Sequence, residues 1–219
     1  MEDRKFLTQG RLALLVAVLV IIVDQIVKIW VKTSFYLGES VDILPFFELR
    51  FVQNNGMAFG FELGSKLFLS LFRIVVVGLL IWYLVRICRS RKYPDGYIVT
   101  LALIAAGAAG NIIDCIFYGQ FFNNPMPPFV ADFVPWGEGY APIFRGLVVD
   151  MLYFPLFSFT WPEWMPWLGG SEFSFFDPVF NIADSAITVG MALLIFFYNK
   201  YLPLGDDKKD SADNQSADE

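Results

Sequence analysis

The chain has 219 residues, 56% of them apolar and only 17% charged, with a mean hydropathy of +0.53. A soluble domain carries about 25% charged residues, so the composition excludes an ordinary soluble globule and points to a bilayer protein. Histidine is absent, which excludes Ser-His and Cys-His nucleophile pairs and histidine zinc sites.

The formal charge of −6 overstates the acidity of the body, because Asp206, Asp207, Asp210, Asp213, Asp218 and Glu219 lie in the C-terminal tail. No basic surface calls for nucleic acid. Cys88 and Cys115 make no metal pattern, and no disulfide is expected between them. Catalysis, if any, must come from carboxylates, Lys, Tyr, Ser/Thr or a bound cofactor, and none of the motifs asks for a cofactor.

The N-terminal segment to Arg11 is short and basic. Leu12 to Val31 reads as a first membrane span, with Asp24, Gln25 and Lys28 towards its far end. It is too long for a cleaved signal peptide and lacks a small-x-small site before Asp24. In the segment from Thr33 to Ser65, Phe47, Leu49 and Phe51 alternate with Glu48 and Arg50, and Asn55-Gly56 is a turn signal. A small β-element on the membrane surface is expected there. Leu67 to Val85 is a second span, whose Arg73 is read as snorkelling to the headgroups. A basic loop (Arg86, Arg89, Arg91, Lys92) and the Pro94-Asp95-Gly96 turn follow.

Tyr97 to Tyr118 is a third span, with small residues from Ala105 to Gly110 that permit close helix contact, then Asn111 and Asp114. Gly119 to Asp177 is a long loop rich in Pro and aromatics, expected to anchor at the interface. Its one apolar run, Gly146 to Phe154, is too short to span. A fourth span is predicted over 178–198. The expected organisation is therefore an all-α membrane protein of four transmembrane helices with a small β-element and a long aromatic loop. The membrane domain would occupy 1–204 and a disordered polar tail 205–219.

The Lys/Arg distribution places both termini in the cytoplasm and the aromatic loop outside. With that orientation Asp24, Lys28, Asn111, Asp114, Asp150, Asn181 and Asp184 all fall at one depth near the outer leaflet. Asn111-x-x-Asp114 and Asn181-x-x-Asp184 repeat one another, each presenting an amide and a carboxyl on one helical face. Ionisable residues in spans are expensive and need partners. Asp24 and Lys28, at i and i+4, form a natural ion pair within a helix. Intramembrane acids at one depth also suit a small proton- or cation-coupled carrier, although its inverted repeats are missing.

Five motifs in order decide more. Asp24-Gln25-x-x-Lys28, Asn54-x-Gly56-x-Ala58-Phe59, Gly110-Asn111-x-x-Asp114, Val148-Val149-Asp150 and Phe180-Asn181-x-Ala183-Asp184-Ser185-Ala186-Ile187 together resemble the lipoprotein signal peptidase family, the bacterial type II signal peptidases. The resemblance implies an aspartyl endopeptidase of the bacterial cytoplasmic (inner) membrane that cuts prolipoproteins before a cysteine carrying diacylglycerol. It would be a monomer among membrane lipids and need no cofactor or metal. It implies Asp150 and Asp184 as the catalytic pair, Asn111 and Asn181 orienting the pair or the substrate, and Asn54 and Gly56 covering the bound peptide. Asp114 would be a supporting residue, and Asp24 with Lys28 a structural pair.

Three departures stand out. The family usually has Arg where this chain has Cys115, its Ala after Asn-x-Gly is Met57 here, and the Asp114–Asp150 interval is longer than usual. Arg145 is the candidate replacement for the missing charge. Two nearby carboxyls share a proton. Asp184, at the positive end of a helix dipole, is expected to be the more acidic, and Asp150, in an apolar run, the neutral partner.

Overall fold

Among the described residues three helices are long and apolar enough to cross a bilayer: α1 (Gln9–Ser34), α2 (Lys66–Ser90) and α3 (Asp95–Ile113), the last prolonged by a π-helical turn (Asp114–Tyr118) and the short α4 (Gly119–Phe121). A further apolar helix, α5 (Ile182–Phe197), has 16 residues. The computed structural model describes residues 8–55, 66–155, 157–175 and 177–201. Gly56, Met57, the Asn55-Gly56 turn and the 205–219 tail lie wholly or partly outside the described residues.

Helix α1 starts where Thr8 caps it, its hydroxyl oxygen accepting from the Arg11 N–H at 3.4 Å, as a Thr in extended backbone does. Leu14, Leu15, Val18, Leu19, Ile22 and Ile26 are exposed along it, a face suited to lipid. Helix α2 is likewise apolar outside, with Phe68, Phe72, Val75, Leu79 and Trp82 exposed. Helix α3 is central, packed on α1, α2 and α5.

Its small residues make that packing possible. A methyl group on Gly107 would overlap the Ala183 carbonyl and Ile187, and one on Gly110 would meet the Asp24 carboxylate at 2.8 Å. Lipid tails are as apolar as leucine, so close van der Waals contact rather than water exclusion must hold such helices together. Buried apolar residues form two clusters, one around Ala13, Leu84, Tyr97 and Leu194, the other around Val31, Phe51, Tyr118, Phe122 and Met151. Along α1 and the prolonged α3, buried Asp24, Lys28 and Asp114 lie between them.

The β-element is larger than one hairpin. Strands β1 (Ser40–Leu44), β2 (Phe47–Asn54) and β3 (Val148–Tyr153) form one antiparallel sheet in that order. Its first turn is at Pro45-Phe46, where proline pre-sets the backbone of a turn. Strand β3 is the apolar run that was too short to span, recruited from nearly a hundred positions away. The expected helical protein with a small β-element thus holds in its coarser form, mostly helical with a small sheet, and the β-branched Val148 and Val149 suit the buried strand β3. Strands β4 (Phe157–Thr160) and β5 (Glu172–Phe175) make a separate hairpin.

The long loop is stitched down at both ends. The Val134 N–H donates to the Phe121 carbonyl, Tyr140 N–H to Phe122, Ala141 N–H to Gly119 and Gly146 N–H to Cys115, each at 2.9 Å. Inside that seam the Asn123 N–H reaches the Asp132 carbonyl at 3.1 Å. Phe129, Phe133, Trp136, Trp164 and Trp167 are exposed, the disposition of interfacial aromatics.

Helix α5 begins later than residue 178, because Phe180 is tied to β3. Its carbonyl accepts from the N–H groups of Met151 (3.1 Å) and Leu152 (2.7 Å), and its own N–H donates to Leu152 at 3.0 Å. Asn181 then caps the helix, accepting the Asp184 N–H on its side-chain oxygen at 2.8 Å.

Candidate active site

The Phe180 tie brings the strand carrying Asp150 against the helix start carrying Asp184. Asp150 is 2% exposed and faces the same side of the sheet as Asn54, which pairs with Val148 across the strands. A diagonal neighbour on an antiparallel pair is within reach of a long side chain. Accordingly the Asn54 amide donates to Asp150 Oδ2 at 3.0 Å. On the other oxygen, Asn181 Nδ2 donates to Asp150 Oδ1 at 2.7 Å. Asp184 is half-buried, and Asn111 Nδ2 donates to its Oδ1 at 2.7 Å.

The orientation of both asparagines follows from what stands behind them. Lys28 carries only donors, and its Nζ lies 2.8 Å from Asn111 Oδ1, so the Asn111 amide must turn its NH2 to Asp184. Asn181 Oδ1 is committed to the Asp184 backbone N–H, also a donor, so its NH2 must turn to Asp150. The two amides touch, Asn181 Nδ2 to Asn111 Oδ1 at 3.1 Å. Each acid thus meets a fixed N–H donor, and the two donors are linked to one another.

Lys28 spends its remaining protons on Asp24 Oδ2 (2.9 Å) and Asp114 Oδ2 (2.8 Å), with all three side chains fully buried. Asp24 Oδ1 accepts the Ala183 N–H at 2.9 Å, one of the donors a helix leaves without an internal partner. Gln25 Nε2 bridges Asp24 (3.1 Å) and Asp114 (3.0 Å), and the Tyr118 hydroxyl donates to Gln25 Oε1 at 3.2 Å. Asp114 also takes the Val149 N–H at 3.3 Å. Asp114 therefore faces Lys28, and the partner that the repeated Asn-x-x-Asp pattern gives Asp184 is Asn111.

Burial is the main influence on Asp150, with the nearby Asp184 charge second. Against the opposing pull of the Asn54 and Asn181 donors, they raise its pKa from 3.8 to about 7. A carboxyl so placed keeps its proton near neutrality beside a second acid.

Arg145 is exposed, and its side chain makes no polar contact with either acid among the described residues. A different cation stands at Cys115: Arg73 Nη1, from α2, reaches the buried Cys115 sulfur at 3.7 Å. The snorkelling account of Arg73 is thereby corrected, because the guanidinium turns inward. Lys32, one turn after Lys28, was missed. Its ammonium is buried among the rings of Phe51, Phe122 and Tyr140, 5.1–5.7 Å from their centroids, an arrangement that favours a cation. Its i+4 spacing from Lys28 was the available signal. Both cysteines are free. Among the described residues no three acidic or cysteine side chains converge as a metal site.

Apolar helices of spanning length, a small sheet, and two acids each met by an asparagine amide describe a membrane-protein class with a carboxylate-lined candidate site. The model of Signal peptidase (SPase) II matches residues 16–199, and the chain belongs to that family, a family of aspartic-type peptidases. It is 50% identical over 198 residues to the lipoprotein signal peptidase of Porphyromonas gingivalis, covering 90% of this chain and 87% of the relative. It is 36% identical to that of Amoebophilus asiaticus, covering 82% and 74%. Two solved bacterial membrane enzyme structures, determined at 1.9 and 2.3 Å, are similar with TM-scores of 0.56 and 0.58 at 26% and 25% identity. They cover 88% and 90% of this chain, and 94% and 93% of theirs. The family membership sets the carrier alternative aside.

Proposed function

We propose that this membrane peptidase removes signal peptides from prolipoproteins bearing a diacylglyceryl group on the cysteine after the cut, using Asp150 and Asp184 as a dyad. The observation that carries the reading is the pair of acids on β3 and α5, each met by an asparagine amide whose direction is set from behind. The relatives' shared name, lipoprotein signal peptidase, supplies the substrate class.

The dyad holds one proton. Asp184, at the N-terminal turn of α5, carries the charge favoured by the helix dipole and accepts a proton from water as that water attacks the scissile carbonyl. Asp150, kept neutral by burial, donates to the developing oxyanion. Asn111 and Asn181 hold the carboxyls in register, Asn54 steadies Asp150 from the sheet, and a substrate role for Gly56, outside the described residues, rests on the family motif. Asp24, Lys28 and Asp114 support the dyad without touching substrate.

With four spans across the bacterial inner membrane, the Lys/Arg distribution supports a cytoplasmic basic loop at Arg86–Lys92, with the sheet and aromatic loop on the outer side. The 16 residues of α5 rise about 24 Å, less than the roughly 30 Å hydrocarbon core. Asn181 and the dyad then sit slightly below the outer boundary, at the depth where acyl chains would hold a lipidated cysteine. The enzyme works as a monomer in lipid.

Purified protein should cut a synthetic diacylglyceryl precursor. Asp150→Asn and Asp184→Asn should each abolish cutting while melting like the parent. Retained cutting by either variant would remove that residue from the dyad.

A further inference from the structure

Helix α2 carries a polar stripe that the mechanism above leaves unused. Lys66, Ser70 and Arg73 stand at i, i+4 and i+7, one face of a helix, and α2 packs against α3. Ser70 is 1% exposed, and among the described residues its hydroxyl has no hydrogen-bond partner; Lys66 Nζ is buried and equally without one there. Neither Lys66 nor Arg73 has a carboxylate partner among the described residues, and the one contact of the Arg73 guanidinium is the Cys115 thiol, a weak acceptor. The stripe leads towards Asp150: Arg73 reaches Cys115, which follows Asp114, and Asp114 accepts the Val149 N–H one residue before Asp150; Lys66 feels the charges of the same groups.

Buried donors without acceptors carry a desolvation penalty, and Lys66 and Ser70, in line with an Arg73 guanidinium whose acceptor is a thiol, need a common explanation. Snorkelling does not supply one, since these groups point into the protein. A ligand with oxygen acceptors does. A formally anionic ligand would have to sit beside the dyad's own negative charge, whereas a neutral carbonyl would not. We propose that Lys66, Ser70 and Arg73 form a substrate-positioning subsite that receives carbonyl oxygens of the bound lipopeptide beside the scissile bond. The carbonyls come from the peptide main chain or from the acyl esters of the glyceryl group. The inference rests on the peptidase reading above.

The test uses the full chain in detergent or vesicles with a synthetic diacylglyceryl precursor. Cutting by the parent and its loss in Asp150→Asn come first, because failure at that step sinks the dyad and not the subsite. With that established, Arg73→Gln and Lys66→Gln should each raise KM about tenfold or more, the scale of a lost charged hydrogen bond. The pH profile of kcat should be unchanged. Ser70→Ala should give a smaller rise, and it serves if a charge variant fails to fold. Cys115→Arg in the Arg73→Gln background should recover KM, since it returns a guanidinium to the same place from α3. A dialkyl-ether precursor, which lacks the ester carbonyls, distinguishes the two sources. If it already shows the raised KM and the variants add nothing, the esters are the acceptors; if the variants act on it fully, the main chain is. Unaltered KM in all three variants overturns the proposal. So does a shifted pH profile at constant KM, or a defect seen only in vesicles containing phosphatidylglycerol, which would assign the stripe to a lipid headgroup.

Discussion

Asn181 performs two separable tasks, and two substitutions divide them. Its side-chain oxygen caps α5 through the Asp184 N–H, while its amide donates to Asp150 Oδ1 at 2.7 Å. Serine retains a capping oxygen and loses the amide; alanine loses both. A cap is worth about 1 kcal/mol, so Asn181→Ala should melt below Asn181→Ser by about that amount. A hydrogen bond to a charged group is worth about 1.5–3 kcal/mol, or about one to two pH units at 1.36 kcal/mol each. The donor favours the ionised carboxylate, and removing it makes Asp150 hold its proton more tightly than at its present value of about 7. The singly protonated dyad then survives to higher pH. The alkaline limb of kcat for a diacylglyceryl precursor should therefore move up by about one to two pH units in both variants. Superimposable profiles for parent and Asn181→Ser would refute the reasoning, because the Asn181 amide would then have no hold on the dyad.

Replacing Lys28 with Met leaves Asp24 and Asp114 buried without their cation. Removing one partner of a buried ion pair costs about 3–5 kcal/mol, and adding Asp114→Asn should recover part of that loss in thermal melts. Gly107→Leu would drive a side chain into the Ala183 carbonyl and Ile187, and a loss of about 1–3 kcal/mol, the usual scale of overpacking, is expected in the same assay. Asp150 also makes stability pH-dependent. Its folded pKa lies above the unfolded one, so its contribution is complete below about pH 4 and drains away as the pH rises through about 7. Melting temperature should lose that part of its slope between pH 4 and 8 in Asp150→Asn.

The helices and most residues of the site were legible in the sequence because both rest on local pattern. Apolar runs of spanning length announce themselves, and acids or amides inside them need company. The Asn-x-x-Asp repeat placed Asn111 and Asn181 on facing helices, and the side chains do meet. It does not foretell the place of Asp114, because equal spacing says nothing about which group a neighbouring cation claims; Lys28 claims Asp114. Strand β3 was read as an apolar run without a structure of its own, since its partner β2 is nearly a hundred residues away and no local period encodes that pairing. The same holds for Arg73 and Cys115, on different helices. Arg145 was chosen for its nearness in sequence to Asp150, and its exposed position illustrates how little sequence proximity means in a loop.

The seam that fastens the aromatic loop has a practical corollary. Because Val134, Tyr140, Ala141 and Gly146 are pinned to the end of α3 and to α4, and Ala131 to the Lys32 carbonyl, residues 126–130 form a closed bight whose length is uncoupled from the strand that bears Asp150. Evolution could lengthen it without shifting the acid, and an experimenter can graft an epitope or a fluorescent reporter there and still read genuine turnover.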